Sequence, residues 1–221
     1  DGIFSNTRSF FEKKKNKPKF KKAIALRTIL KSKHELDINE DRISLFMGKN
    51  CHLVIYPINK NKELNLVCIV RNNKYNPGDI KTLIDKVVSQ NLKFKKIFET
   101  ELKTWPLYST SKILPSTNNK VFYVGDAFNG LLPTLAQGAG QSIESAYELF
   151  NLINENKIDI QNAYFKERSK RVKIVRRRSN LNFIIFHFSS KIMQSIRNFL
   201  MKFLLRRKSF VNKFLGLVYK N

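Results

Sequence analysis

One thirty-residue stretch gathers an acid, a proline, an amide and a run of small residues at spacings that could hold a flat, negatively charged ligand. It is Val121–Phe150, VFYVGDAFNGLLPTLAQGAGQSIESAYELF. Val121, Phe122, Tyr123 and Val124 read as a buried strand. Gly125-Asp126 presents a carboxylate at its carboxyl end, the edge where open α/β sheets bind ligands. Pro133 holds the loop that follows, and Gln137-Gly138-Ala139-Gly140 opens a helix. Small residues there let a ligand approach the backbone, and the free N–H groups of a helix start favour negative charge. Ile143, Ala146, Tyr147, Phe150 and Ile153 then recur as one apolar helix face. The plainer reading is a strand–turn–helix with an incidental acid and glycines.

Two further groups of residues could do chemistry. Asp1-Gly2-Ile3-Phe4-Ser5-Asn6-Thr7-Arg8 combines an acid, a glycine and an arginine, though a capped surface turn would use the same residues. In Cys51-His52-Leu53-Val54-Ile55-Tyr56-Pro57, strand alternation puts His52, Val54 and Tyr56 on one face. A histidine near neutral pKa beside a tyrosine could bind or deprotonate a phenol. Equally, the pair could line the solvent side of a sheet. No metal site is expected: Cys51 and Cys68 lack CxxC spacing, and His34, His52 and His187 are scattered. No phosphate-binding Gly-x-x-x-x-Gly-Lys loop and no Gly-x-Ser-x-Gly elbow appear.

The elements that must position these residues follow from periodicity. Ala23–Leu30, Arg42–Met47, His52–Ile58 and Leu64–Arg71 read as four strands. The polar turn Asn59-Lys60-Asn61-Lys62 makes the last two a hairpin, so the sheet is expected to be antiparallel. Ile80, Leu83, Ile84, Val87 and Val88 have helical spacing after the Asn76-Pro77-Gly78 turn. Beyond Phe150 the chain reads as helical. Ile160–Arg178 carries eight cations opposed only by Glu167, and Phe183–Leu205 is an apolar amphipathic segment.

Five stretches of the chain resemble the FAD-dependent aromatic hydroxylases, the group A flavoprotein monooxygenases, and within them the salicylate hydroxylase-like branch. Gly125, Asp126, Ala127, Pro133, Gln137, Gly138, Ile143 and Glu144 match the second flavin motif in register, which weighs against the plainer reading. Asp1, Gly2, Ser5 and Arg8 match the middle fingerprint. His52, Tyr56 and Pro57, followed by Asn65 and Val67, resemble the substrate-sheet strands of that branch, and Trp105, Leu107 and Tyr108 its Trp-x-Leu-Tyr strand. Tyr164, Arg168 and Arg171, then Asn182 and His187, resemble its C-terminal helix. Phe128-Asn129 departs from the usual Ala-His, and Ser145 from the usual Asp.

The resemblance implies a mixed α+β and α/β fold. Part of a p-hydroxybenzoate hydroxylase-like FAD-binding domain is joined to an antiparallel substrate sheet and C-terminal helices. The implied division is 1–10 and 116–160 for the FAD segments, 11–115 for the sheet domain and 161–221 for the helices. It implies an enzyme that hydroxylates a small aromatic substrate, a phenol or aromatic acid, using FAD, NAD(P)H and O2. Asp1, Gly2, Arg8, Gly125, Asp126, Pro133, Gly138, Ala139 and Gly140 would hold the cofactor, and His52, Tyr56 and Gln137 would serve the substrate. The family's upstream Gly-x-Gly-x-x-Gly motif is absent. With the chain opening on Asp1, this predicts a C-terminal fragment that lacks much of the FAD site and is inactive alone.

Composition adds a competing reading. The chain of 221 residues can bury a core, and 42% hydrophobic residues is ordinary, but a net charge of +25 is not. It could mark a binding module for nucleic acid or anionic membrane. The lysines are nevertheless spread among asparagines and isoleucines throughout, as a chain-wide bias would leave them. The basic loop Lys13–Lys22 reads as a solvated run for the same reason. We therefore expect no nucleic-acid partner, with peripheral membrane contact left open for the basic C-terminal helices. A family member that keeps the fold without catalysis is the third alternative, allowed by Phe128, Asn129 and Ser145. The absence of a secretory segment or of an apolar run of roughly 18 residues implies a cytoplasmic protein with reduced thiols.

Overall fold

A computed structural model describes residues 1–12, 17–31, 41–60, 62–74, 76–110 and 112–219. His34, residues 13–16 of the basic loop and Asn61 of the expected turn lie outside them. In chain order the elements are α1 (Asn6–Phe11), β1 (Lys19–Leu30), β2 (Ser44–Gly48), β3 (Cys51–Ile58), β4 (Glu63–Arg71), α2 (Ile80–Val88), β5 (Lys103–Ser109), α3 (Gly125–Asn129), α4 (Gly138–Asn154), α5 (Ile160–Phe186), α6 (Lys191–Leu204) and α7 (Lys208–Tyr219). They form two compact units. One comprises Asp1–Lys21, Tyr108–Phe183 and Leu204–Asn221; the other comprises Lys22–Leu107 and Ile184–Phe203.

The second unit is built on a five-stranded sheet in the order β2-β3-β4-β1-β5. The expected hairpin forms: β3 pairs antiparallel with β4 from Cys51 opposite Val70 to Ile58 opposite Glu63. β2–β3 and β1–β4 are also antiparallel. Pro106 sits in β5, an edge strand, where proline is tolerated. Alternation sorts the side chains into two faces. Ile24, Leu26, Leu53, Ile55, Leu66 and Cys68 point one way and pack on Leu83 and Val87 of α2 and on Phe94, Ile97 and Phe98. By the same register Arg27, Val54, Tyr56, Asn65 and Val67 lie on the opposite face.

The first unit is helical around a small core of Tyr123, Ala127, Phe128 and Val172. Two sequence expectations change here. Val124 is extended, at φ −122° and ψ 159°, yet Val121–Val124 is not a strand. Among the described residues no strand runs beside it, and a strand requires a neighbour for its ladder. The helix after it forms as α4, but Ile143, Tyr147, Phe150 and Ile153 are exposed, while the buried α4 positions are Gln141 and Ser145. Polar ties to α5, rather than the apolar stripe, hold α4 in place.

Candidate functional site

Arg8 fixes the turn that carries Asp126. Ser5 caps α1 by accepting the Arg8 N–H at 2.9 Å. The buried Arg8 guanidinium then donates to the carbonyl of Ile3 at 2.5 Å and to that of Ala127, within α3, at 2.7 Å. Asp1 accepts the Thr7 N–H at 3.1 Å, and Gly2 lies at φ +76°. Gly125 is required twice over. Its φ is +56°, and a Cβ there would sit 2.7 Å from Ser142 Oγ on α4. The Asp126 carboxylate emerges from this turn exposed and, among the described residues, makes no hydrogen bond. Partial desolvation raises it above the ordinary aspartate range.

The proline loop and the start of α4 are tied to α5. The Thr134 hydroxyl donates to the Ser179 carbonyl at 2.6 Å, the Ser179 hydroxyl to the Leu132 carbonyl at 2.8 Å, and the Asn182 amide to the Thr134 carbonyl at 3.3 Å. Tyr164 donates to the Tyr123 carbonyl at 2.9 Å, and burial pushes its phenol up to about 12. Arg168, only 2% exposed, donates from Nη1 to Glu144 at 3.2 Å and Glu148 at 3.4 Å. Its Nη2 donates to the backbone and side-chain oxygens of Gln141 at 3.3 and 3.0 Å. Arg171 donates to both Glu144 oxygens at 3.0 and 3.1 Å. Although desolvation acts upward on Glu144, the two arginines hold its carboxyl below the usual range.

Polar groups are left over at the start of α4. Its N-cap, Gln137, makes no capping bond; its amide oxygen accepts instead from Gln141 at 3.3 Å. The N–H groups of Gly138, Ala139 and Gly140 have no acceptor among the described residues. A Cβ built on Gly138 would meet nothing within 4 Å, so no neighbour among the described residues demands a glycine there. Pro133 is exposed beside this open space in sequence, at the head of a one-turn helix closed by Ala136 at φ +52°. An unbonded carboxylate, unbonded N–H groups and an open glycine suit a polyhydroxylated, partly anionic ligand. Gly125–Gly140, Arg8 and Asp1 all belong to the first unit.

In the second unit, His52 and Tyr56 share a strand face, as alternation predicts, but their surroundings differ. His52 is 2% exposed, stacks edge-on against Phe186 at 5.2 Å and places Nδ1 3.1 Å from His187 Nε2. His187 Nε2 also lies 3.3 Å from the Ile69 carbonyl, which can only accept. The proton therefore belongs on His187 Nε2, and His52 Nδ1 is the acceptor. Tyr56, on the same face, is half-buried. There Val54 and Val67 are half-buried, and Arg27 lies over the exposed Trp105 ring, 5.5 Å from its centroid.

The squalene epoxidase family profile matches residues 1–219. The chain belongs to the squalene epoxidase family. The FAD-dependent aromatic hydroxylase fold implied by the sequence motifs agrees with the solved structures it resembles. HpxO of Klebsiella pneumoniae, complexed with FAD and uric acid, superposes with a TM-score of 0.79 at 16% identity, over 99% of this chain and 57% of that one. A salicylate hydroxylase substrate complex gives 0.72 at 17% identity, over 100% and 63%. Tetracycline destructase Tet(51) gives 0.67 at 16%, over 100% and 61%. The chain thus spans less than two thirds of each of these proteins. No curated protein matches the sequence.

The departures from the flavin motif are absorbed by this squalene epoxidase family chain as packing. Phe128 joins the core, the Asn129 amide oxygen accepts from Thr110 at 3.3 Å, and Ser145 is buried with its hydroxyl donating to the Gln141 carbonyl at 2.6 Å. Sequence reasoning missed the inward role of Arg8 and the pairing of His52 with His187. Only the shared burial of polar residues, invisible before folding, marks either one.

Proposed function

We propose that this chain is the substrate-sheet and second flavin segment of a monooxygenase that adds one oxygen atom of O2 to a small aromatic phenol or acid, with NAD(P)H as reductant. The observation that carries the reading is the unbonded Asp126 carboxylate, on a turn whose Ala127 carbonyl is tied to Arg8, within the same unit as the unbonded N–H groups of Gly138–Gly140. Asp126 would accept hydrogen bonds from sugar or ribityl hydroxyls of FAD. The α4 start would stabilise negative charge on the reduced ring system, Pro133 would flank that ring, and Asp1 and Gly2 would lie toward the pyrophosphate. Arg8 is committed to carbonyls, so we assign it to orienting the Asp126 turn. Bound FAD supplies the redox and oxygen-transfer chemistry; the protein orients it and excludes water. We assign the rest of the FAD site to sequence outside these 221 residues, since the structural relatives are longer, and we expect this segment alone to be inactive. Peripheral contact with a membrane through the C-terminal helices is part of the same reading.

Replacing Asp126 with Ala in the protein that carries the whole FAD site tests this. Losing two charge-assisted hydrogen bonds, each contributing about 1.5 kcal/mol or more, lowers flavin affinity at least about a hundredfold. The purified variant should be colourless; an unchanged flavin-to-protein ratio overturns the role of Asp126.

For the substrate, Tyr56 of the sheet unit would offer its hydroxyl while His52, held by His187, would act by positioning β3; in the helical unit Gln137 would offer its amide at the start of α4. Trp105 is the chain's single tryptophan and lies under Arg27 on this face. Titration with salicylate, an aromatic acid, should quench its fluorescence saturably, and Arg27→Ala should weaken that binding several-fold, the scale of one exposed cation–anion contact. Linear, unsaturable quenching would argue against an aromatic acid on this face.

A second reading, epoxidation of an alkene, is favoured by the half-buried Val54 and Val67 on the same face and by the engagement of His52 with His187. An epoxide rather than a phenolic product, identified by mass spectrometry of a turnover mixture, would select it.

A further inference from the structure

A cavity of about 820 Å³ opens at the β2 edge of the sheet unit, within the roughly 300 to 1,000 Å³ that small-molecule sites occupy. All of its lining residues belong to that one unit, and His52, Tyr56, Arg27 and Trp105 are not among them. It is therefore distinct from the residues proposed above for the substrate. One wall is apolar: Phe46 and Leu53, opposite each other in β2 and β3, stand with Val87 of α2 and with Phe94, whose ring meets that of Phe46 edge-on at 5.1 Å. The other wall is polar. Lys191, Gln194 and Asn198 follow at spacings of three and four residues, so one face of α6 lines the cavity.

The corner beside these walls is closely built. The Gln90 amide donates to the carbonyls of Lys86 and Lys49 at 2.8 and 3.0 Å, and its oxygen accepts the Lys49 N–H at 2.5 Å. A Cβ on Gly48 would collide with that oxygen and lie 2.9 Å from Cys51 Sγ, so glycine is needed for the close approach. Both backbone polar groups of Lys49 are thereby fixed, and its side chain starts from a set point at the cavity.

We infer that this cavity binds an apolar-tailed carboxylate, a ligand of fatty-acid type. Charge and hydrogen bonding select it. The lining includes Lys49 and Lys191 but no aspartate or glutamate, and neither lysine has an ion pair among the described residues. Asn198 accepts Arg197 Nε–H at 3.1 Å through its amide oxygen, which leaves its N–H groups as donors. Asn91 does the same with the Lys93 N–H at 3.1 Å. Two ammonium groups and two sets of amide donors call for a negatively charged acceptor. Phe46, Leu53, Val87 and Phe94 call for hydrocarbon. A cationic ligand would meet two lysines with no carboxylate between them, and a small inorganic anion would leave the apolar wall wet. Such binding requires nothing of the flavin segments, which belong to the other unit.

Isothermal titration calorimetry of the whole, flavin-bound protein with decanoate is the test. We expect one saturable site. Octanoate, two methylenes shorter, should bind about tenfold more weakly, and decanol, which lacks the charge, at least about fivefold more weakly. Lys49→Gln with Lys191→Gln should lower decanoate affinity about fivefold and leave decanol unchanged, since two exposed cation–anion contacts are lost. Ser89→Trp places a bulky ring at the lining and should weaken decanoate and decanol alike, by about tenfold or more. All three positions are exposed, so each variant should keep the far-ultraviolet circular dichroism and melting temperature of the parent. Absence of saturable binding overturns the proposal, as does decanol binding as tightly as decanoate, or an affinity for decanoate unchanged in both variants. Decanoate that shifts the flavin absorbance and competes with salicylate would occupy the reaction site instead, and also overturns it. A protein purified without flavin that still binds decanoate in this pattern sinks the cofactor site alone and supports the cavity.

Discussion

Arg168→Ala should destabilise the helical unit by about 3 to 5 kcal/mol, the usual loss when one partner of a buried ion pair is removed. Arg168 is bonded through one nitrogen to Glu144 and Glu148 and through the other to both oxygens of Gln141. Truncation strands Gln141, which is buried, and leaves two half-buried carboxylates facing each other. Glu148 already sits above the usual carboxyl range through desolvation, with Arg168 acting downward and Glu167 and Glu144 upward. Without the arginine it rises further, so the variant should also recover part of its stability as pH falls and Glu148 takes a proton. Arg168→Lys cannot fork and should regain less than half the loss. Arg171→Ala is the internal comparison: it also touches Glu144, but it is less buried, and about 1 kcal/mol is expected. Urea unfolding followed by far-ultraviolet circular dichroism measures all three. An Arg168→Ala loss no larger than that of Arg171→Ala would show that α4 is not held by this tie.

The contrast between Arg168 and the exposed stripe on α4 explains how much the sequence could reveal. Periodicity finds the central strands of the second unit because one face of each is apolar: Leu53 and Ile55 of β3 and Leu64 and Leu66 of β4 alternate without interruption, and Leu83 and Val87 supply the helix that covers them. The turn at Gly125 was legible for another reason. Gly125, Asp126, Pro133 and Gln137-Gly138 stand at fixed offsets, and Gly125 proves irreplaceable through its φ and its contact with Ser142. What local rules cannot supply is the partner. Val121–Val124 has strand composition but no neighbouring strand among the described residues. Ile143, Tyr147, Phe150 and Ile153 have core spacing, yet arginines 24 and 27 residues beyond Glu144 hold the helix by its polar side. The cationic segment Ile160–Arg178 looked alike for recognition and for structure, and only Glu144 and Glu148 tell Arg168 and Arg171 apart from their neighbours. His52 was correctly placed on its strand face, but its partner lies 135 residues away.

That partner makes the sheet unit acid-sensitive. Burial, and secondarily the charge His187 can carry, pull the His52 pKa from 6.5 to about 3. The geometry gives the same direction. With the His187 Nε2 proton directed at Ile69 and at His52 Nδ1, adding a proton to Nδ1 sets two donors against each other. A base whose folded pKa is depressed binds its proton more tightly in the unfolded chain, so acid favours unfolding. The contribution of His52 to stability is complete above pH 6.5, declines as pH falls below it, and is fully lost only below about pH 3. At one pK unit per 1.36 kcal/mol, about two units of mismatch remove roughly 3 kcal/mol by pH 4.5. Trp105 belongs to this unit, so urea unfolding followed by its fluorescence at pH 8 and pH 4.5 isolates the effect. His52→Asn can keep an acceptor toward His187 without a titrating ring. It should be less stable than the parent at pH 8, from lost contact with Phe186, yet lose about 3 kcal/mol less between the two pH values. If the parent and His52→Asn lose the same amount, the acid sensitivity lies elsewhere and the buried histidine pair is only packing.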